Sequence, residues 1–206
     1  MKRNSLLLII LLLSISIKAQ EAKSVSLNVY GGYTFSDDLD YDGYSATVED
    51  GFEYGAGLEF FIEKTSSIEL KYLRLDTTMP FYGPFGNQLN SGDDKGALNY
   101  ILVGGTHYFE TGSAKALPFI GGGLGVGISE TPQSGSDTNF AWDIKAGVKI
   151  KTDSSVSVNL QAYLQSMSSA VGNSYYWTYY GPVGVTDYLP TFQFGLGAVL
   201  SFNFKN

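Results

Sequence analysis

Residues 191–204 read TFQFGLGAVLSFNF, and their side chains alternate between two kinds. Every even position from 192 to 204 carries phenylalanine, leucine or alanine, whereas the odd positions carry mostly glycine or polar residues. Because successive side chains of a β-strand point to opposite faces, this alternation predicts a strand with one apolar and one polar face.

The same period of two recurs along the rest of the chain. In residues 140–150, for example, Phe140, Trp142 and Ile144 alternate with Asp143 and Lys145. Glycine at 25 positions, 15 tyrosines, 13 phenylalanines and only 16% charged residues also favour strands over helices. Eight strands are predicted, at residues 25–35, 52–62, 67–76, 97–109, 117–128, 140–150, 156–165 and 192–204.

The connections between these strands alternate in length. Four are long, at residues 36–50, 77–96, 129–138 and 167–190, and three are short, near residues 63–66, 110–116 and 152–154. An even number of strands with tight turns at one end and long loops at the other is typical of membrane barrels. The sequence therefore predicts an all-β fold, an eight-stranded antiparallel up-and-down transmembrane β-barrel.

A soluble, lipocalin-like ligand-binding barrel is the alternative, with its apolar face turned inward. Two features favour the membrane. Aromatic side chains concentrate toward the strand ends of the apolar face, as in interfacial girdles. The polar face carries acids and lysines that would neutralise each other in a narrow lumen: Glu53, Glu59, Glu69 and Asp143 with Lys71, Lys145 and Lys149.

The N-terminus predicts export. Lys2 and Arg3 precede the apolar run 6–17, which is too short to span a bilayer as a helix, and Ala19 offers a small residue for cleavage. We predict that residues 1–19 are a cleaved signal peptide and that residues 20–206 form a single barrel domain. Cleavage would take the formal net charge from −7 to −10, which argues against a nucleic-acid partner.

On these features the chain resembles the OmpA/OmpX-like eight-stranded outer-membrane β-barrel proteins. The resemblance rests on the strand count, the loop asymmetry, the C-terminal run FQFGLGAVLSFNF, and the segments YILVGGTHYF and LPFIGGGLGVG. It implies a cell outer-membrane location with both termini in the periplasm and contact with outer-membrane lipid. It also implies that the barrel-insertion machinery recognises the C-terminal strand.

Neither a pore nor catalysis is expected. Eight strands leave an interior that side chains fill, although passage of small hydrophobic compounds, as in porin-like or OmpW-like barrels, remains an alternative. Barrels that process lipid acyl chains use a histidine with a serine and a carboxylate, and the only histidine, His107, ends the fourth predicted strand without a recognisable triad. No cofactor is required by this interpretation.

The first long loop contains a calcium-loop pattern. Residues 38–49 fit D-x-D-x-D-G-x₅-E, in which carboxylates, one backbone carbonyl and a closing glutamate surround the ion. Ser45 replaces the usual aliphatic residue, and strands flank the loop, so an acidic surface loop is the alternative. The candidate Ca²⁺ ligands are Asp38, Asp40, Asp42, Tyr44 and Glu49.

Aromatic residues concentrate in two of the long loops. Exposed aromatics of this kind stack on sugars or anchor a protein partner, although they could equally cap the barrel or extend its girdle. The sequence therefore predicts a structural or adhesion-type role, with a glycan or a protein as the loop partner. The residues are Phe81, Tyr82 and Phe85 in the second loop, and Tyr175, Tyr176, Trp177, Tyr179 and Tyr180 in the fourth.

Overall fold

The computed structural model describes residues 24–41, 44–112, 115–132, 135–178 and 181–205, so the predicted signal peptide lies outside it. Within this part of the chain, no helix is long and apolar enough to cross a bilayer. The described residues form twelve strands: β1 (Ser24–Thr34), β2 (Asp37–Tyr41), β3 (Tyr44–Val48), β4 (Gly51–Phe61), β5 (Ser66–Thr78), β6 (Phe81–Tyr82), β7 (Lys95–Tyr108), β8 (Ala116–Thr131), β9 (Gly135–Lys151), β10 (Val156–Thr178), β11 (Gly181–Pro190) and β12 (Gln193–Lys205).

Eight of these strands close into an antiparallel barrel in the order β1, β4, β5, β7, β8, β9, β10, β12. The ring closes where β12 pairs with β1, from Ser24 opposite Lys205 to Thr34 opposite Gly195. Each strand of the ring pairs with the next along the chain. The predicted strand count and the up-and-down order are confirmed.

The polar face of the barrel points inward and the apolar face outward. In β1, Ser26 and Asn28 are buried in the lumen, whereas Val29 and Tyr33 are exposed on the outer wall. This arrangement matches a barrel surrounded by lipid and is the reverse of the soluble alternative. Of the predicted girdle residues, Tyr33, Phe35, Phe52, Phe140 and Phe192 are exposed at the loop end and Phe202 and Phe204 at the turn end, with Trp142 half-buried against Phe192.

Several stretches predicted as long loops are strands that continue beyond the barrel. The β8–β9 ladder extends to Thr131 opposite Gly135, and the upper part of β10 pairs with β11 up to Thr178 opposite Gly181. Neither face of these extensions has to meet lipid, so the backbone can remain paired without alternating apolar residues. The strands predicted from the sequence are therefore too short at their loop ends.

The lumen is packed by large side chains that lie against glycines. A Cβ atom on Gly123 would lie 2.8 Å from Asp143 Oδ1, and one on Gly127 would lie 2.7 Å from Met167 Cε. The glycine run of β8 thus provides room for the inward side chains of its neighbours.

Candidate functional site

Ion pairs occupy the middle of the lumen. Lys71 Nζ lies 2.5 Å from Asp143 Oδ2, and Lys145 Nζ lies 2.8 Å from Glu69 Oε2. Glu69 also accepts hydrogen bonds from Asn28 Nδ2 at 2.6 Å and from the Tyr30 hydroxyl. These four buried charges therefore neutralise one another, as the sequence predicted for a narrow lumen. Glu53, which was predicted to pair with a lysine, is buried and instead accepts a hydrogen bond from Gln165 Nε2 at 2.6 Å.

The loop-side half of the lumen contains a hydrophobic cluster beside hydrogen-bonded polar side chains. Leu75, Leu98 and Met167 are fully or almost fully buried there, and Val48 from the first loop packs against the same cluster. Tyr100, in the same layer, donates its hydroxyl to Gln193 Oε1 at 3.0 Å. This packed layer argues against an axial route for small hydrophobic compounds.

The first two loops combine into a small sheet in the order β2, β3, β6. Ser45 and Ala46 of β3 pair with Tyr82 and Phe81 of β6, and the Tyr44 and Phe81 rings stack with centroids 5.7 Å apart. At the base of this sheet, Asp37 Oδ2 accepts the Phe192 N–H at 2.8 Å. Partial burial raises the pKa of the Asp37 carboxyl above its usual value.

In the second loop, a hairpin held by hydrogen bonds exposes one phenylalanine to solvent. The N–H of Gly83 donates to the carbonyl of Asn87, and that of Gly86 donates to the carbonyl of Gly83, both at 2.9 Å. Gly86 has a φ of 74°, which a glycine adopts without strain. Asn90 braces the hairpin by accepting the N–H of Phe81 at 2.9 Å. As a result, Phe85 is 95% exposed on an ordered turn.

The structure describes only part of the predicted calcium loop. Asp38 Oδ1 accepts the Thr47 hydroxyl at 2.8 Å across the β2–β3 hairpin. Tyr44 is exposed, and Glu49 follows β3 with its N–H bonded to a backbone carbonyl. Asp42 and the side chain of Asp40 lie outside the described residues. Among the side chains that are described, no group of three or more metal-binding residues occurs, and the calcium site stays a prediction.

The aromatic fourth loop is described only by its backbone. Tyr175, Tyr176 and Trp177 belong to β10 and pair with β11 residues above the barrel. Their side chains lie outside the described part, as do Tyr179 and Tyr180 altogether. A cluster between these aromatics and those of the second loop therefore stays a prediction.

His107 lies on the outer wall at the turn end. Its Nδ1 is 3.2 Å from the Ser66 hydroxyl, and its ring meets the Phe109 ring edge-on at 5.0 Å. This exposed position beside an aromatic side chain is that of an interfacial histidine. It lies at the opposite end of the barrel from the long loops.

A cavity of about 720 Å³ opens at the turn end of the lumen. Its walls include Phe61, Tyr108 and Lys149, together with the residues of two short turns. The cavity was not predicted from the sequence, which indicated Lys149 only as a lumenal counter-charge. The sequence feature that could have indicated the cavity is a second inward lysine on β9, four residues after Lys145.

No protein-family model matches the chain, and no curated protein is detectably similar in sequence. The chain is similar in structure to neisserial surface protein A, at 12% identity and a TM-score of 0.56, over 87% of this chain and 97% of that one. It is also similar to the outer membrane protein OprG from Pseudomonas aeruginosa, at 14% identity and a TM-score of 0.55, over 91% and 99% of the two chains. Together with the closed ring and its outward apolar face, these likenesses show that the chain has the fold of the eight-stranded outer-membrane β-barrels.

Proposed function

We propose that this protein is a small outer-membrane barrel with a surface-interaction role, exerted through the loops at the end opposite its termini. The barrel supplies a fixed base, since its lumen is packed below the loops and its outer wall suits lipid. Insertion through the apolar, phenylalanine-rich strand β12 belongs to the same proposal. On this view both termini and the short turns are periplasmic.

The observation that carries this proposal is the presentation of Phe85. A phenyl ring exposed to water costs free energy, and here backbone hydrogen bonds and the Asn90 side chain fix the hairpin that holds it outward. The neighbouring Leu89 is also about half exposed. Exposed apolar side chains on an ordered surface favour contact with a partner.

The charge of the loop end limits the kind of partner. Among the described residues of this end, Arg74 and Lys95 are the only cations, and Arg74 is already paired with Asp76 at 2.9 Å and Glu130 at 3.3 Å. Such a face favours a cationic protein surface or a neutral glycan over a polyanion. The described acids at this end are Asp37, Asp38, Glu49, Asp50, Asp76, Asp93, Asp94, Glu130 and Asp137.

The test uses cells that display the intact barrel and measures their adhesion to immobilised neutral glycans and to basic proteins. We expect Phe85→Ala to reduce binding several-fold, and deletion of residues 173–187 to abolish it. Heat-modifiability in electrophoresis would show that both variants still form barrels. Phe109→Ala, at the turn end, is the matched control and should bind as the unchanged protein does. Equal binding by all variants would contradict the proposal.

A further inference from the structure

The cavity at the turn end has a hydroxyl-rich and partly aromatic lining. Leu117, Val156 and the rings of Phe61 and Tyr108 form its apolar part. Its volume of about 720 Å³ lies within the range of small-molecule sites. Ser24, Thr65, Thr152, Ser154, Ser155 and Ser157 contribute hydroxyl groups.

Lys149 lines this cavity with its side chain only 5% exposed. Its Nζ lies 4.9 Å from the Phe61 ring centroid and 5.0 Å from that of Tyr108. Among the described residues, this ammonium has no hydrogen-bond partner. A buried ammonium without an acceptor is costly, which points to an acceptor supplied from elsewhere.

Glu59 is the nearest carboxylate, but it does not fill that role. Its Oε2 lies 3.9 Å from Lys149 Nζ, beyond hydrogen-bonding distance. Other donors already serve its oxygens: Ser67 at 2.5 Å and Tyr108 at 2.7 Å on Oε1, and Asn28 at 3.3 Å on Oε2. The two other lumenal lysines, in contrast, each contact a carboxylate at 2.8 Å or less.

We propose that the turn-end cavity binds a small monocarboxylate with an apolar body. The carboxylate accepts hydrogen bonds from Lys149 Nζ, and the apolar body packs against Phe61, Tyr108 and the neighbouring aliphatic side chains. A dianion fits less well, because Lys149 is the one buried cation in this lining, and the exposed Lys64 and Lys151 are offset by the exposed Glu63, Glu110 and Asp153. Charge and shape together thus select a monoanion over a phosphate.

The test titrates the refolded barrel, in zwitterionic detergent micelles, with benzoate, benzyl alcohol and inorganic phosphate, while amide shifts are followed by NMR. We expect benzoate alone to give saturable shifts at Thr65 and Ser157. Lys149→Met should weaken benzoate binding about tenfold or more, since it removes a charge-assisted hydrogen bond. Lys64→Met, at the rim of the same cavity, should leave the affinity within about twofold.

Equal shifts with benzyl alcohol, equal or tighter binding of phosphate, or unchanged affinity in Lys149→Met would each overturn the proposal. If Lys149→Met does not fold, as judged by heat-modifiability, the unchanged protein supplies an independent readout. Benzoate should then slow acetylation of Lys149, relative to Lys64, in a mass-spectrometric labelling assay. Equal rates with and without benzoate would overturn the assignment in the same way.

Discussion

The two ends of the lumen are closed by different means. At the loop end, Val48 reaches down from the first loop and packs with Leu75, Leu98 and Met167. At the turn end, the connections are short, and a cavity of about 720 Å³ remains beside Lys149. The difference teaches that a long connection can return a side chain to the lumen, whereas a tight turn cannot.

Breaking the ion-paired middle layer should have the largest effect on stability. Glu69→Ala would leave Lys145 buried without its carboxylate and would remove acceptors from Asn28 and Tyr30. We expect a loss of about 3–5 kcal/mol in the free energy of unfolding. Urea titration in lipid vesicles measures it, and Glu69→Ala combined with Lys145→Met should recover part of the loss.

Adding side-chain volume to the loop-side half of the lumen should destabilise the barrel less. A Cβ on Gly195 would overlap the Tyr163 ring, whose hydroxyl is hydrogen-bonded to Thr34 at 2.8 Å. We expect Gly195→Ala to destabilise the barrel by about 2 kcal/mol, because the ring must move. Gly105→Ala is the matched control, since the atom nearest to its Cβ would lie 3.6 Å away. Similar urea midpoints for the two variants would count against tight lumenal packing.

Reducing the apolar packing at the loop end should have a smaller effect on stability. Val48→Ala removes two buried methyl groups contributed by a loop, and we expect a loss of about 1 kcal/mol. Thr47→Ala, at a half-buried position of the same strand, removes only the surface hydrogen bond to Asp38 and should cost about 0.5 kcal/mol. If Val48→Ala cost no more than Thr47→Ala, the first loop would not be part of the lumenal packing.

We expect the smallest effect from changes in the predicted calcium loop. If Asp38, Asp40, Asp42, Tyr44 and Glu49 bind Ca²⁺, isothermal calorimetry of the purified barrel should show saturable heat at millimolar calcium or below. Asp42→Asn should reduce the affinity several-fold, whereas Asp137→Asn, in the β8–β9 hairpin, should not. A titration without heat would contradict the calcium site and leave the loop as an acidic surface.

The strands, their faces and the lumenal charges could be predicted because lipid and lumen impose opposite demands on alternate residues. Glu69 and Leu70 are an example, because the charged side chain points into the lumen and the apolar one faces outward. The β2–β3–β6 sheet could not be predicted, since its strands lie outside the lipid and need no alternation. The lack of a hydrogen-bond acceptor for Lys149 among the described residues could not be predicted either, because it depends on which donors reach Glu59 across the lumen.

The seam between β1 and β12 also constrains how the chain can fold. Ser26 and Asn203, which are hydrogen-bonded at 2.8 Å across this seam, are 177 residues apart in sequence. Until β12 arrives, β1 and β10 both present unpaired backbone edges, which are prone to pair with other chains. Completion of the ring is therefore a late, long-range step, and chains truncated before β12 should be the aggregation-prone species during biogenesis.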